Sequence, residues 1–202
     1  MELKPLIHVI DDKSIYEFLS WVLGSLGLVI NLHDTLQNFI NKYDPMQLSC
    51  LLLNVDAKDE GIKLKNVLDE KKLSPPIIFT SWQDDISLAV NMMQTGACDF
   101  LLKPLNEELL IEGVNKALRI DKSKRDKTQK IEQAKIRFLN LSHREKQILQ
   151  NIVEGKSNRT IALDINISPK TVEAHRASMM KKMNIKSIST LVKVFYEIKN
   201  YK

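Results

Sequence analysis

The sequence of 202 residues is poor in cysteine and has no long apolar run. Its two cysteines, Cys50 and Cys98, lie in apolar, strand-like surroundings without the spacing of metal ligands, so we expect two free, buried thiols. The longest apolar runs, 26–30 and 51–53, are far shorter than the roughly 20 residues that span a bilayer. These absences argue against a disulfide scaffold, a zinc module and a membrane-spanning protein.

The sequence also lacks a secretory signal and a recognisable catalytic pattern. The first residues lack a secretory signal, so we expect a cytoplasmic protein that does not engage a membrane. The four histidines are scattered, and no serine or cysteine stands in a recognisable pattern with one of them. An enzyme that uses an activated nucleophile is therefore the weakest of the candidate functions.

Charge is divided unevenly along the chain. Residues 1–120 contain 11 Lys and Arg against 17 Asp and Glu, a net charge of −6. Residues 121–202 contain 19 against 8, a net charge of +11. A basic second part indicates a polyanionic partner, and because the basic residues spread over several capped helices, nucleic acid is favoured over a membrane surface.

The first 120 residues predict five short apolar strands alternating with five helices. This order is typical of an α/β fold with a parallel, doubly wound, flavodoxin-like sheet. In such sheets the polar residues that follow the strands converge at one edge. Here these residues are Asp11, Asp12, Asn54, Thr80 and Lys103.

The segments IHVIDD, IIFTSWQDD and TGACDFLLKPL, together with the ordered polar set, resemble the receiver domain of two-component response regulators of the FixJ/NarL type. The resemblance implies that Asp11 and Asp12 hold Mg²⁺ and that Thr80 is the switch hydroxyl. It also implies that Lys103 pairs with a phosphoryl group, that its bond to Pro104 is cis, and that Phe100 is the aromatic that turns inward on activation. A sensor histidine kinase is the implied partner.

The phosphoacceptor position departs from the family pattern. The family places an aspartate at the end of the third strand, where CLLLNVDAKDEG has Asn54. An amide oxygen is a poor nucleophile, so no acyl phosphate forms there, and one carboxylate fewer weakens Mg²⁺ binding. The competing alignment slips by two residues and makes Asp56 the acceptor, but it moves the acceptor beyond the apolar strand. We therefore favour Asn54.

Residues 141–183 predict three short helices. Ser142 and Glu145 have the spacing of a capping box, Ser157 or Asn158 can cap the second helix, and Ser168 precedes Pro169 at the start of the third. In the third helix, residues 172, 175, 179 and 183 form a narrow inner stripe. The opposite face is small and flanked by cations, which suits a helix that enters the major groove, although an ordinary solvated face has the same pattern.

The wider pattern LS-x-RE-x-x-IL…EGKSNRTIA…ISPKTVEAHR…KKM resembles the helix-turn-helix domain of LuxR-type transcription regulators. The resemblance implies an all-α module of four helices that binds double-stranded DNA as a homodimer, with His175 as a structural histidine. The residues that we predict to contact DNA are Asn158, Arg159, Lys170, Thr171, Glu173, Ala174, Arg176, Ala177 and Lys181.

Two segments leave alternatives open. The polar stretch 121–138 is either a flexible tether or a continuous helix, and the absence of proline between Pro104 and Ser168 favours the helix. In the last helix, Ile188, Leu191, Val192 and Phe195 form an apolar stripe that serves either a dimer or the domain's own core.

These patterns predict a receiver-like domain (1–120), a linker (121–138) and a DNA-binding domain (139–202). The favoured function is a sequence-specific transcription regulator whose receiver-like domain controls dimerisation without aspartyl phosphorylation. One alternative is a conventional regulator phosphorylated on Asp56. Another is a protein-interaction module that titrates a kinase or another regulator.

Overall fold

The computed structural model describes residues 4–56 and 60–201, and the chain divides into two compact units, 1–125 and 126–202. The first unit is built on a five-stranded sheet in which every pair of neighbouring strands is parallel. The strand order is β2-β1-β3-β4-β5. The strands are β1 (Leu6–Ile10), β2 (Val29–Leu32), β3 (Ser49–Asn54), β4 (Ile77–Ser81) and β5 (Asp99–Leu102). The predicted doubly wound sheet is confirmed.

Helices cover both faces of this sheet, which explains why β3 is a continuous apolar run. One apolar cluster includes Val9, Leu23 and Val114, and the cluster on the other face includes Phe39 and Met92. The helices are α1 (Tyr16–Ser25), α2 (Leu36–Lys42), α3 (Glu60–Glu70), α4 (Ile86–Gln94) and α5 (Glu107–Leu139), with a short 3-10 helix at Lys13–Ile15.

The second unit contains four further helices, each begun by a serine. Side-chain oxygens of Ser142, Ser157, Ser168 and Ser187 accept backbone N–H groups of the first helical turn, as N-caps do. Ser142 and Glu145 form the predicted capping box, and Pro169 lies in the first turn of its helix. The helices are α6 (His143–Val153), α7 (Asn158–Asp164), α8 (Pro169–Met183) and α9 (Ile188–Asn200).

Helix α5 includes the whole segment that we predicted as a linker. Asp121, the first residue of that segment, is buried. Its Oδ2 accepts hydrogen bonds from the Ser49 backbone N–H (3.0 Å) and from Arg125 Nε (2.5 Å). Arg125 also donates to the Pro45 carbonyl oxygen. These contacts extend the packing of the first unit five residues beyond the predicted boundary at 120.

The apolar stripe of α9 divides between two roles. Leu191 is fully buried in the core of its own unit, so its side chain has no surface to offer a second copy. Ile188, Val192 and Phe195 are partly buried and pack against the same core. Of the two roles left open for the stripe, Leu191 therefore serves the core of its own unit.

Cys50 and Cys98 are free and buried, as predicted. Burial raises the pKa of both thiols, which keeps them protonated. Within the described residues, no helix has the length and apolarity needed to cross a membrane.

Two histidines lie side by side in the first unit. His8 Nδ1 is 2.9 Å from His33 Nε2, and both residues are buried beside Phe39. Burial, followed by the proximity of His33, lowers the pKa of His8 to about 4, and burial also lowers the pKa of His33. The folded pair is therefore neutral at pH values where unfolded histidine is already protonated.

The free energy of unfolding should consequently fall as the pH drops below the unfolded histidine pKa of about 6.5, because only the unfolded chain binds the proton there. With about 1.4 kcal/mol per pKa unit, His8 alone accounts for a loss of about 2 kcal/mol between pH 7 and pH 5. Urea unfolding followed by circular dichroism should show this loss to be reduced in His8→Gln. An identical pH dependence in both proteins would contradict the assignment.

Candidate receiver pocket and nucleic-acid interface

The carboxyl edge of the sheet brings four of the predicted polar residues together. Asp11 follows β1, Asn54 ends β3, Thr80 lies in β4 and Lys103 follows β5. Asn54 and Thr80 are direct neighbours in the register of β3 and β4. The peptide bond after Lys103 is cis, as the resemblance implied.

Lys103 is the centre of this group. Its Nζ lies 2.6 Å from Asp11 Oδ1 and 2.7 Å from Asn54 Oδ1. Thr80 Oγ1 donates to the other oxygen of Asp11 at 3.2 Å. The side chains of Lys103 and Asp11 are only 3% and 4% exposed, so this ion pair is shielded from water and held by further hydrogen bonds.

Asp12 lies at the rim of the group. It caps the short 3-10 helix by accepting the Ser14 backbone N–H at 2.8 Å, and this backbone hydrogen bond is the largest cause of its lowered pKa. Asp12 also lines a cleft of about 340 Å³ together with Asp11, Lys103, Phe18 and Trp82.

Asp56 lies outside β3 and is exposed. Asn54 Nδ2 donates to Asp56 Oδ2 at 3.2 Å, while Gln83 Nε2 donates to the Asp56 carbonyl oxygen at 2.6 Å. Of the two candidate acceptors, Asn54 is the one whose side chain touches Lys103. The following residues 57–59, where the family loop is altered, lie outside the described residues.

Asp11 and Asp12 would hold Mg²⁺ only weakly. This ion prefers near-octahedral coordination by oxygen, usually with one or two carboxylates, and here Lys103 competes for one of the two. Among residues 4–56 and 60–201, no cluster of three or more His, Cys, Asp or Glu side chains is arranged to hold a metal ion. The Lys103 ammonium already occupies oxygens of Asp11 and Asn54, and with Asp12 the three charged groups sum to only −1.

Phe100 lies in β5, apart from these polar contacts. Its ring is partly buried and packs against the apolar cluster that contains Phe79 and Met92. This position on the sheet is compatible with the predicted switch aromatic, but its movement is a prediction.

Helix α8 separates its residues by face. Val172, Met179 and Met183 are buried in the core of the second unit, and His175 and Arg176 are half-buried. The outward face consists of Lys170, Thr171, Glu173, Ala174, Ala177 and Lys181, all of which are exposed. Small and polar side chains flanked by cations therefore form one continuous accessible face.

Two of the predicted contact residues bond to each other. Arg176 of α8 donates a hydrogen bond through Nη1 to Asn158 Oδ1 at the start of α7. Arg159, the next residue of α7, is exposed. The turn between α6 and α7 is held by Lys156, whose Nζ is 2.8 Å from both Asn151 Oδ1 and Asp164 Oδ2.

Sequence reasoning missed Trp82 and Gln83. Trp82 is 67% exposed, and its ring centroid lies 5.6 Å from Lys103 Nζ. Gln83 joins the segment after β4 to the segment after β3. Both residues directly follow β4, which carries Thr80 of the polar group, and this position in the sequence could have indicated that they lie near the pocket.

Two family models match the chain. The model of the response regulator receiver domain matches residues 7–115, and that of the bacterial regulatory proteins of the luxR family matches residues 139–195. The chain is 33% identical over 199 residues to the response regulator protein TmoT of Ectopseudomonas mendocina, covering 98% of this chain and 90% of that protein. It is 35% identical over 191 residues to the transcriptional regulatory protein FixJ of Azorhizobium caulinodans, covering 93% and 90%.

Two solved structures are similar to this chain over nearly its whole length. The response regulator StyR has 31% identity and a TM-score of 0.78, with 96% of this chain and 100% of that chain covered. Full-length FixJ from B. japonicum has 28% identity and a TM-score of 0.53, with 100% of both chains covered. The likeness therefore extends over both units.

Lys103→Met should destabilise the first unit by about 3 kcal/mol, because it leaves the buried Asp11 carboxylate without its cation. The matched control is Lys116→Met, whose partner Asp99 is 3.5 Å away and whose side chain is 47% exposed. That control should cost at most about 1 kcal/mol. Urea unfolding measures both, and equal losses would contradict a dominant role for the Lys103 pair.

Proposed function

This chain belongs to the response regulators that join a receiver domain to a LuxR-type DNA-binding domain, and we propose that its receiver controls dimerisation without aspartyl phosphorylation. Its relatives are transcription regulators, so the chain is a regulator and not an enzyme. The observation that carries the proposal is the hydrogen bond between Lys103 and the Asn54 amide.

The chemistry of that amide argues against a phosphorylation cycle. A carboxylate attacks a phosphoryl donor and forms an acyl phosphate, whereas an amide oxygen is a poor nucleophile. Here the Asn54 oxygen accepts a hydrogen bond from Lys103, and its nitrogen donates to Asp56. Mg²⁺ is then not a required cofactor, and a sensor histidine kinase acts on this receiver by binding rather than by phosphoryl transfer.

Dimerisation is supported by an exposed apolar stripe on α4. Ile86, Val90 and Met93 are 81%, 47% and 41% exposed and recur at the spacing of one helix face. Exposed apolar groups arranged contiguously mark interaction surfaces. A second copy of the chain is the proposed occupant, with Ile188, Val192 and Phe195 of α9 available for a smaller contact.

DNA binding is assigned to the second part of the chain. In this proposal residues 1–120 form the receiver, 121–138 the linker and 139–202 the DNA-binding domain, and the protein works in the cytoplasm with its DNA. The net charge of +11 over 121–202 supports attraction to phosphates. Glu173 accepts from a cytosine amino group and Arg176 serves a guanine or a phosphate, while Asn158, Arg159, Lys170 and Lys181 meet phosphates.

The phosphorylation part is tested by intact-mass measurement after incubation with acetyl phosphate and Mg²⁺. We expect no added phosphoryl group on the wild type and the same result for Asp56→Ala. Asn54→Asp, which restores a carboxylate beside Lys103, should become phosphorylated. A phosphorylated wild type that loses the modification in Asp56→Ala would instead support the conventional regulator.

The DNA part is tested on the duplex that the wild type enriches from a random library. Lys170→Gln should weaken binding to this duplex and to a scrambled duplex alike, and lower the salt slope by about one. Glu173→Ala should relax preference at one base pair, at a cost of about 1–3 kcal/mol. Lys193→Gln, an exposed change on α9, is the charge control. Equal losses on both duplexes for every α8 variant would refute base reading.

A further inference from the structure

Helix α8 is held in the second unit by an apolar stripe in which methionine predominates. Its three fully buried residues, Val172, Met179 and Met183, cover an arc of about 40° at roughly 100° per residue, and the partly buried Met180 widens the stripe to about 100°. This width is at the lower end for core-facing helices. Three of these four residues are methionines, whose unbranched side chains adapt to several arrangements. Apolar packing therefore defines the rotation of α8 about its own axis only loosely.

Glu145 of α6 binds one flank of α8 through hydrogen bonds. This carboxylate is almost fully buried, and its Oε1 accepts the Ser178 hydroxyl at 2.8 Å. Its Oε2 accepts from Lys182 Nζ at 2.8 Å and from the Ser142 backbone N–H at 2.7 Å. Ser178 and Lys182 are one turn apart, about 100° around the helix from the middle of the three fully buried residues.

The hydrogen bonds to Glu145 outweigh the cost of its burial. Burial alone raises the pKa of Glu145, but the hydrogen bonds from Lys182, Ser142 and Ser178 lower it to about 2. The carboxylate is therefore charged at any pH at which DNA is bound, and both of its oxygens are occupied.

A hydrogen bond from α7 holds α8 on the other side of the three fully buried residues. Arg176 lies there, about 40° around the helix from their middle, and its guanidinium donates to Asn158 Oδ1. The Asn158 residue is itself fixed at the start of α7 by the Ser157 cap, in which Ser157 Oγ accepts the Thr160 backbone N–H at 3.1 Å.

We infer that Glu145 and Asn158 form two polar clamps that set the axial rotation of α8, and that Glu145 is thereby a positioning residue for base recognition. The inference rests on the proposed DNA-reading role of α8. A rotation of about 10° moves atoms about 5 Å from the helix axis by about 1 Å. Hydrogen bonds to base edges do not tolerate such a displacement, whereas flexible lysines on phosphates do.

The capping box explains a glutamate at the start of α6, but the bonds of Glu145 to Ser178 and Lys182 are additional to that cap. The clamp links the first turn of α6 to the last two turns of α8, so its geometric effect falls on the helix that carries the reading face.

Glu145→Gln tests the inference because glutamine preserves the capping box but removes the charge that holds Lys182. At a temperature well below unfolding, we expect the ratio of affinities for the enriched and scrambled duplexes to fall about tenfold. Affinity for the scrambled duplex should change less than about twofold. Glu154→Gln, an exposed change of equal charge directly after the end of α6, should leave the ratio unchanged.

Lys182→Gln separates positioning from phosphate contact. If Lys182 acts through Glu145, this variant lowers the ratio of affinities for the enriched and scrambled duplexes as much as Glu145→Gln does. Lys182→Arg should then restore the ratio of the wild type. A uniform loss on both duplexes with a lower salt slope would make Lys182 a phosphate contact and overturn the clamp.

Residual dipolar couplings of the backbone N–H groups test the clamp without DNA. We expect α8 to be rotated relative to α6 in Glu145→Gln but not in Glu154→Gln, and unchanged couplings would overturn the inference. Failure of the proposed function looks different, because the wild type itself would then enrich no sequence from the library.

Discussion

The ion pair between Lys103 and Asp11, shared with the Asn54 amide, is the contact on which the account of the receiver depends. It joins the ends of β1, β3 and β5 in one buried group, and Thr80 adds β4. A buried ammonium is tolerated only when its charge is compensated. Asp11 supplies the compensation and Asn54 supplies a neutral acceptor, so the pocket is satisfied by its own side chains.

The amide at position 54 also changes the net charge of the pocket. A pocket with an aspartate at position 54 would carry one more negative charge, which a metal ion could balance. With Asn54 the charge on Asp11, Asp12 and Lys103 is only −1, and in the proposed function the input reaches the receiver by contact.

Much of this architecture could be predicted from local patterns. Apolar runs ending in polar residues indicated the strands and the convergence of Asp11, Asn54, Thr80 and Lys103. Serine caps and Pro169 indicated the helices of the second unit within a few residues, because capping is a local interaction.

Contacts between distant segments could not be predicted in this way. Glu145 was recognisable as a capping residue, but its bonds to Ser178 and Lys182 join residues more than 30 positions apart. The burial of Leu191 depended on the width of the core, which a stripe of residues does not define.

The most direct test of the central claim is sedimentation velocity of the full chain with and without Mg²⁺ and beryllofluoride, a phosphoryl analogue. The account predicts the same distribution of species under both conditions, and a new dimer that forms only with the analogue would contradict it.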